Sequence, residues 1–230
     1  MNRLQSELHR LYLLPSPENG GCLIDASDQV RSLVMELTGP ADWALLGQVW
    51  RGVQLDFELP APAIAVSGSD GLQLWFSLQQ PVGAARGAEF LAGLKSCYLA
   101  GLAPATRLRL SPPASAALVP AEQASTGNWS AFVAPDLAPV FADTPWLDIP
   151  PGVEGQADLL ARLQSIKPAA FEVVLCQLQP GGPAAATLAQ SSGEDVDPKR
   201  FLQQVLNDEA VALELRVAAA QALLRCGRDD

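Results

Sequence analysis

The sequence predicts an α+β protein whose first half is a β-α-β-β-α-β unit. Three observations lead to this prediction: short apolar segments with strand periodicity, two longer segments with helical spacing, and Gly or Pro residues at the boundaries. With 230 residues, of which 49% are hydrophobic, the chain can bury a substantial core. We expect one domain over residues 1–178, with its core at 31–111 and a Pro- and Ala-rich extension after it, then a linker over 179–197 and a helical hairpin over 198–230.

The first strand and helix of the unit follow an amino-terminal segment, 3–14, whose leucines suit a short helix that packs on the body. Residues 31–37 are apolar and compact, which indicates a buried strand, and a Gly-Pro pair ends it. Within residues 41–51, tryptophans and leucines recur at helical spacing, and Asp42 favours the start of a helix. These segments therefore predict a strand followed by a helix.

A hairpin and a second helix and strand complete the unit. Residues 63–66 form a short apolar run, and residues 72–78 alternate apolar with polar side chains. The segment between them, 67–71, contains two glycines, so the two strands are predicted to form a hairpin. Residues 87–102 then show helical spacing, and residues 106–110 alternate again as a strand does.

This order of elements is typical of split β-α-β domains, which include the ferredoxin-like and RRM-like folds. Right-handed crossovers place both helices on one face of a four-stranded sheet. The opposite face is then either open, as in RRM-like sheets that stack bases, or covered by residues 112–178. The exposure of Trp75 distinguishes these alternatives, because Trp75 lies on that face together with Gln73 and Ser77.

The carboxyl-terminal half is predicted from shorter patterns. Residues 156–166 indicate a helix, and residues 171–178, with the sequence FEVVLCQL, indicate a further strand that could join the sheet. Residues 180–197 are of low complexity and predict the linker. A two-helix hairpin cannot bury its own apolar face, so we expect residues 198–226 to contact the body, a partner protein or a second copy of the chain.

Composition and charge exclude some classes of function. The net charge of −10 and the 15 Lys and Arg residues argue against a large basic surface for nucleic acid. Four widely spaced cysteines and one His do not have the spacing of a zinc site. Neither a signal peptide nor an apolar stretch of about 18 residues is recognisable, so we expect a cytoplasmic protein without membrane contact.

The segments LVMELTGPADW and ELPAPAIAVSGSDGLQLWFSLQQPV carry a recognisable pattern. A strand ends at an acidic residue, a helix follows, and a proline-marked entry leads to a Ser-Gly turn and a strand with an aromatic pair before Pro-Val. This layout resembles the catalytic core of the archaeo-eukaryotic primase superfamily, above all its primase-polymerase and plasmid replicase branch, over residues 31–111. The matching residues are Pro60, Pro62, Ser67, Gly68, Gly71, Leu74, Trp75, Phe76, Pro81 and Val82.

The resemblance implies a site for metal-dependent nucleotidyl transfer, but key positions differ. Glu36 and Thr38 stand where the family has an acidic pair that coordinates the metal, and Gln73 stands where it has a His that contacts the triphosphate. One carboxylate with a hydroxyl is a poor Mg²⁺ site, because such sites rely on carboxylates together with phosphate oxygens. The resemblance therefore implies a degenerate module without polymerase chemistry. Three residues are candidates for a further family acid: Asp136, Asp143 and Asp148.

Three other groups of polar residues are candidates. Asp56 and Glu58 would share one face if they lay on a strand, with the spacing of a metal pair, or would form a solvated pair at the end of a loop. Arg107 and Arg109 share one face of a predicted strand and contact either a phosphate or water. Ser67, in the predicted turn, is a further candidate for contact with a nucleotide.

These observations lead to three hypotheses of function. The first is a degenerate primase-like module that binds a nucleotide or nucleic acid without catalysis, and it requires Glu36, Gln73, Arg107 and Arg109 to converge in an open cleft. The second is a non-enzymatic interaction or adaptor protein with a covered sheet, whose partner or second copy contacts the predicted C-terminal helices. The third is an active nucleotidyl transferase that uses Mg²⁺ or Mn²⁺; these metals are expected only if this activity is retained.

Overall fold

The structure is a computed structural model that describes residues 2–16, 21–39, 42–101, 107–111 and 118–179. Its α+β class agrees with the prediction from the sequence. The linker predicted after residue 179 and the hairpin predicted over 198–230 lie outside the described residues. The elements in chain order are α1 (Arg3–Leu11), β1 (Gln29–Thr38), α2 (Trp43–Leu55), β2 (Ala63–Val66), β3 (Gly71–Gly83), α3 (Ala84–Tyr98), β4 (Arg107–Ser111), β5 (Ala131–Val133), a 3-10 helix (Ala138–Phe141), α4 (Val153–Ala161) and α5 (Pro168–Leu178).

The five strands form one sheet in the order β4-β1-β3-β2-β5, and every neighbouring pair is antiparallel. From β1 to β4 the chain runs strand, helix, strand, strand, helix, strand, as the periodicity predicts. The long strands β1 and β3 lie in the middle of the sheet, where both their edges are hydrogen-bonded. β5 extends the sheet beyond β2 and was not predicted, because a three-residue segment carries too little periodicity to be recognised.

The prediction of a strand over 171–178 is wrong, because these residues belong to helix α5. The helix begins at Pro168, a residue favoured in the first helical turn. Phe171, Val174 and Leu175 are buried at helical spacing, and the ring of Phe171 stacks on that of Phe90 in α3 at 5.2 Å between centroids. Packing on α3 therefore overrides the strand preference of the two valines in this segment.

One face of the sheet, here called the helical face, packs against α2 and α3. Leu33 and Met35 of β1 lie on it and share a buried cluster with Val49 of α2 and with Phe90 and Leu94 of α3. Both crossover helices thus lie on the same side of the sheet. This cluster is the larger of the two apolar cores in the described part of the chain.

The opposite face, here called the site face, is covered over part of its area by α1 and α4. Their buried residues form a second apolar cluster with Val34 of β1, Trp75 of β3 and Phe132 of β5. Tyr12, which follows α1, lies edge-on to Trp75 at 5.4 Å and stacks on Phe132 at 6.0 Å. Trp75 has no exposed surface, so the structure shows the covered alternative rather than an open platform for bases.

Polar contacts connect the two covering helices to the sheet and to each other. Arg31 of β1 donates to the carbonyl of Arg10 at 2.8 Å, at the C-terminal end of α1. Arg10 in turn donates to the carbonyl of Leu160 at 2.8 Å, at the C-terminal end of α4. The Ser77 hydroxyl of β3 lies 2.7 Å from the carbonyl of Leu11. Helix C-termini leave carbonyls without partners in the helix, and these side chains satisfy them.

The outer edge of β5 is closed by a side chain rather than by another strand. The amide of Gln156 in α4 accepts a hydrogen bond from the Phe132 N–H at 2.8 Å and donates one to the Phe132 carbonyl at 2.9 Å. A buried edge residue otherwise leaves both backbone groups unsatisfied. Within the described ranges, no helix combines the length and apolarity needed to cross a membrane.

Candidate functional site

The strand register brings five of the candidate residues together at one end of the site face. Glu36 of β1 lies opposite Gln73 of β3 and, on its other side, opposite Arg109 of β4. Thr38 lies opposite Arg107 in the same way. Residues directly opposite each other in antiparallel strands point to the same face of a sheet. These side chains therefore share one end of the site face, but Gln73 is buried and Glu36 nearly so, so the open cleft of the first hypothesis stays a prediction.

The Glu36 carboxylate is the centre of this group. Its Oε1 accepts a hydrogen bond from the Gln73 side-chain amide at 3.3 Å, and its Oε2 lies 3.9 Å from Nη1 of Arg109. The Glu36 side chain is 15% exposed, whereas that of Arg109 is 61% exposed. The site thus consists of a largely buried carboxylate below an accessible guanidinium.

The orientation of Gln73 is set from inside the core. The indole N–H of Trp75 donates to Oε1 of Gln73 at 2.8 Å, and both side chains are buried. Because the amide oxygen is engaged in this way, the NH₂ group is the end that reaches Glu36. Trp75 therefore contributes to the site through Gln73.

Burial and neighbouring charges act on the Glu36 carboxyl in opposite directions. Burial raises the pKa of Glu36 above the ordinary value, and the negative charge of Asp70 adds to this. The hydrogen bond from Gln73 and the charge of Arg109 lower the same pKa, but they do not cancel the effect of burial. Asp70 was not among the candidates from the sequence; its position directly before Gly71, at the start of β3, is the signal that would have identified it.

Thr38 does not replace the missing acid as a ligand. Its side chain is fully buried, and its hydroxyl donates to the carbonyl of Arg107 at 3.3 Å. This hydrogen bond ties β1 to β4 at the end of their pairing. At the position where the resembled pattern has a second carboxylate, Thr38 thus makes a structural hydrogen bond instead.

The turn between β2 and β3 uses Ser67 for its own geometry. The Ser67 hydroxyl accepts hydrogen bonds from the N–H groups of Gly71 at 2.9 Å and Ser69 at 3.2 Å. Gly68 has φ +81°, a conformation that favours glycine. At Gly71, a Cβ atom would lie 2.8 Å from Oε1 of Glu36, so glycine is needed for the carboxylate to lie where it does. Ser67 shapes the turn beside the site, but its hydroxyl is already engaged.

Arg107 and Arg109 project from β4 on the site face, and both are exposed. Two guanidinium groups two residues apart on a strand can contact one anion together, because each offers several N–H donors in a planar array. If the pair binds an anion, as one of the two alternatives holds, the anion would lie beside Glu36, because Arg109 is opposite Glu36 in the sheet.

The structure places Asp56 and Glu58 elsewhere, so they do not form a strand pair. Asp56 follows the last residue of α2 as its C-cap, and one of its carboxylate oxygens accepts a hydrogen bond from the Tyr98 hydroxyl at 2.8 Å. Glu58 is an exposed loop residue with φ +52°. Of the two alternatives for this pair, the structure does not have the one with a shared strand face and agrees with the solvated one. α2 packs on the helical face, whereas Glu36 lies on the site face.

The described residues offer no ready-made metal site. Within the ranges that the structure describes, no three His, Cys, Asp or Glu side chains are grouped so that they could hold a metal ion. Of the candidates for a further acid, Asp136 lines a cavity of about 270 Å³ between β2, β5, α2 and α4, which also has Arg162 in its wall. Asp143 and Asp148 lie between the 3-10 helix and α4. Among the acids proposed from the sequence, Glu36 is thus the only one that lies on a described strand of the sheet.

Comparison with known proteins adds little to this geometry. No protein-family model and no curated protein matches the chain. Among solved structures, the polymerase domain of Ligase D from Mycobacterium tuberculosis in complex with DNA is similar with a TM-score of 0.29 and 18% identity, over 78% of this chain and 61% of that chain. The chain thus spans less than two thirds of that structure. That structure is a polymerase domain, but a similarity with this TM-score is too low to support a conclusion about function.

Proposed function

We propose that this chain is a catalytically inactive relative of primase-polymerases that binds phosphate groups of a nucleotide or a short nucleic acid at the site face. The sheet order β4-β1-β3-β2, with both crossover helices on one face, supports a ferredoxin-like core. The residues that resemble the primase-polymerase pattern lie on β1, β3 and the turn before β3, next to the proposed site.

One observation carries the proposal: the Glu36 carboxylate lies on the site face between a buried amide and two exposed arginines. Nucleotidyl transfer by divalent metals needs carboxylates to hold the ions. Glu36 is engaged by Gln73 and lies beside Arg109, and Thr38 contributes only a buried hydroxyl. Because these side chains already contact one another, the arrangement supports binding of an anion better than metal-assisted catalysis.

The charge of the chain supports a small ligand. A long nucleic acid needs many Lys and Arg contacts, and the chain carries a net charge of −10. Arg107 and Arg109 can bind one di- or triphosphate group without such a surface. We therefore propose a nucleotide, or the phosphorylated end of an oligonucleotide, as the ligand.

The test compares ligand-dependent thermal stability in three proteins, with and without Mn²⁺. A nucleoside triphosphate at ten times its Kd should stabilise the wild type by about 1.4 kcal/mol, or about 3–6 °C for a domain of this size. The double variant Arg107→Ala/Arg109→Ala should lose this shift. The control Arg51→Ala/Arg162→Ala, which removes two exposed arginines on helices or their ends, should keep it.

A shift that requires Mn²⁺ would contradict the proposed loss of metal chemistry. The absence of any shift in the wild type at millimolar nucleotide would contradict the ligand class. Equal shifts in the two double variants would show that the anion binds somewhere else.

A second candidate function is an interaction or adaptor protein, and the buried Trp75 favours it. The covering of the site face by α1 and α4 removes the aromatic surface that an RRM-like sheet uses for bases. On this proposal, residues 198–226 contact a partner or a second copy. Leu213→Glu should then convert a dimer of the full chain into a monomer in light scattering, whereas Gln203→Glu should not.

The third hypothesis, an active transferase that uses Asp56 and Glu58, receives less support. One Asp56 oxygen is engaged by Tyr98, and the two residues do not lie on a strand. Mg²⁺ or Mn²⁺ binding that disappears in Asp56→Asn would be needed to restore it. Location in the cytoplasm, expected from the sequence, stays a prediction.

A further inference from the structure

The Glu36 carboxylate is held in place from both neighbouring strands. Gln73 donates to one of its oxygens, and the amide of Gln73 cannot be reversed without losing the hydrogen bond from the Trp75 indole. The other oxygen lies 3.9 Å from the Arg109 guanidinium. The position of the carboxylate is therefore set by the core of the sheet and not by solvent.

A carboxylate in this position is an ion-pair partner, at 3.9 Å, for a guanidinium that a phosphate would also use. Carboxylates and phosphates both accept hydrogen bonds from the planar fork of N–H groups on an arginine. Arg109 is mostly exposed and can turn toward an external anion, while Glu36 is largely buried and stays beside Gln73. An incoming anion must therefore compete with Glu36 for the same guanidinium.

We propose that Glu36 is an internal competitor of the anionic ligand: Glu36 pairs with Arg109 and so lowers the affinity of the site for phosphate groups. This inference rests on the proposed function and names how the same site is regulated. It assigns Glu36 a role opposite to that of a metal ligand, since its charge disfavours the ligand instead of recruiting it.

The inference also defines the class of ligand. Asp70 adds a second negative charge near Glu36, and Arg107 and Arg109 supply the positive charges on β4. An anion with one charge gains little when it displaces a carboxylate from Arg109. A di- or triphosphate can contact both arginines and offset the repulsion, so the site selects ligands with several negative charges.

The experiment measures Kd for inorganic tripolyphosphate by calorimetry, in EDTA, so that no divalent metal takes part. Glu36→Gln should bind about tenfold more tightly than the wild type, because the carboxylate that competes for Arg109 is removed. The matched control is Glu172→Gln, which breaks another Arg–Glu pair, that of Arg86 and Glu172 on α3 and α5, and should leave Kd unchanged. In the Arg109→Ala background, Glu36→Gln should have an effect of less than about twofold.

Several results would overturn the inference. Weaker binding by Glu36→Gln, or unchanged binding while Arg107→Ala/Arg109→Ala abolishes it, would overturn the inference and leave the proposed function standing. A tenfold effect that persists in the Arg109→Ala background would show that Glu36 does not act through Arg109. No binding by the wild type or Glu36→Gln at millimolar anion would overturn the proposed function and the inference together.

A second variant keeps the test valid if Glu36→Gln does not fold, which thermal melts without ligand would reveal. Glu36→Asp keeps the charge but draws the carboxylate back by one methylene from Arg109. We expect Glu36→Asp to bind tripolyphosphate more tightly than the wild type and less tightly than Glu36→Gln. Binding weaker than that of the wild type would contradict the inference.

Discussion

Replacement of Tyr12 by Phe should stabilise this protein, although it removes a polar group from a tightly packed core. The Tyr12 ring is fully buried between Trp75 and Phe132. Its hydroxyl is buried too, and no hydrogen-bond partner for it is found among the described residues. Burial also raises the pKa of Tyr12, as expected for a hydroxyl in apolar surroundings. The hydroxyl therefore loses hydration on folding and gains nothing in return.

The size of the effect follows from that loss. A buried polar group without a partner costs about 1–3 kcal/mol. Phe keeps the ring contacts with Trp75 and Phe132, so we expect Tyr12→Phe to raise the free energy of unfolding by about 1 kcal/mol. For a domain of this size, this corresponds to an increase in Tm of about 2–4 °C.

The matched control is the same substitution at a tyrosine with a partner. The Tyr98 hydroxyl donates to Asp56 at 2.8 Å on a partly exposed surface. Tyr98→Phe should therefore lower the free energy of unfolding by about 0.5–1 kcal/mol. Urea unfolding monitored by circular dichroism would measure both variants. Destabilisation by Tyr12→Phe equal to that by Tyr98→Phe would refute the reasoning, because it would mean that the Tyr12 hydroxyl is satisfied.

Three further predictions concern the edge and the end of the site face. Gln156→Leu should lower the free energy of unfolding by about 2–4 kcal/mol, because it leaves both Phe132 backbone groups without partners. Urea titration would measure this loss, and an unchanged free energy would contradict the paired hydrogen bonds. Gly71→Ala should cost about 1–3 kcal/mol through overlap with Glu36, and less in a Glu36→Ala background; equal costs in both backgrounds would contradict the contact. Because burial raises the pKa of Glu36, the folded protein binds its proton more tightly than the unfolded chain does, so stability should fall as pH rises from the ordinary glutamate pKa through the folded pKa. Glu36→Gln should abolish that part of the pH dependence, and identical profiles would disprove it.

Local patterns in the chain predict the core elements because each has a strong periodicity and clear ends. The alternation in β3 and the helical spacing in α2 and α3 reflect burial against one dense core, and Gly and Pro residues mark the boundaries. The segment at 171–178 lacks such a signal. Its apolar run fits a buried strand as well as a helix, and packing on α3, including the contact of Phe171 with Phe90, selects the helix.

For the candidate site, too, the sequence identifies residues but not their arrangement. Glu36, Thr38 and Gln73 could be named because they stand at key positions of the primase-polymerase pattern that the sequence resembles. Arg107 and Arg109 could be named because they share one face of a predicted strand. Their mutual arrangement depends on register, which is a property of strand pairing across long sequence separations. The same holds for the engagement of Ser67 in its turn and for the location of Asp56 at a helix end.

The sequence by itself thus determined the α+β class and the order of the six core elements. It also supplied a set of candidate polar residues in which Glu36 alone stands where the primase-polymerase pattern has an acidic pair. The tertiary structure alone decided that α1 and α4 cover Trp75, that Trp75 orients Gln73, and that Glu36 lies beside Arg109. The physical reason is the range of the interactions. Periodicity and turn chemistry act between near neighbours in the chain, whereas covering a sheet face and pairing charges across strands depend on residues far apart in the sequence.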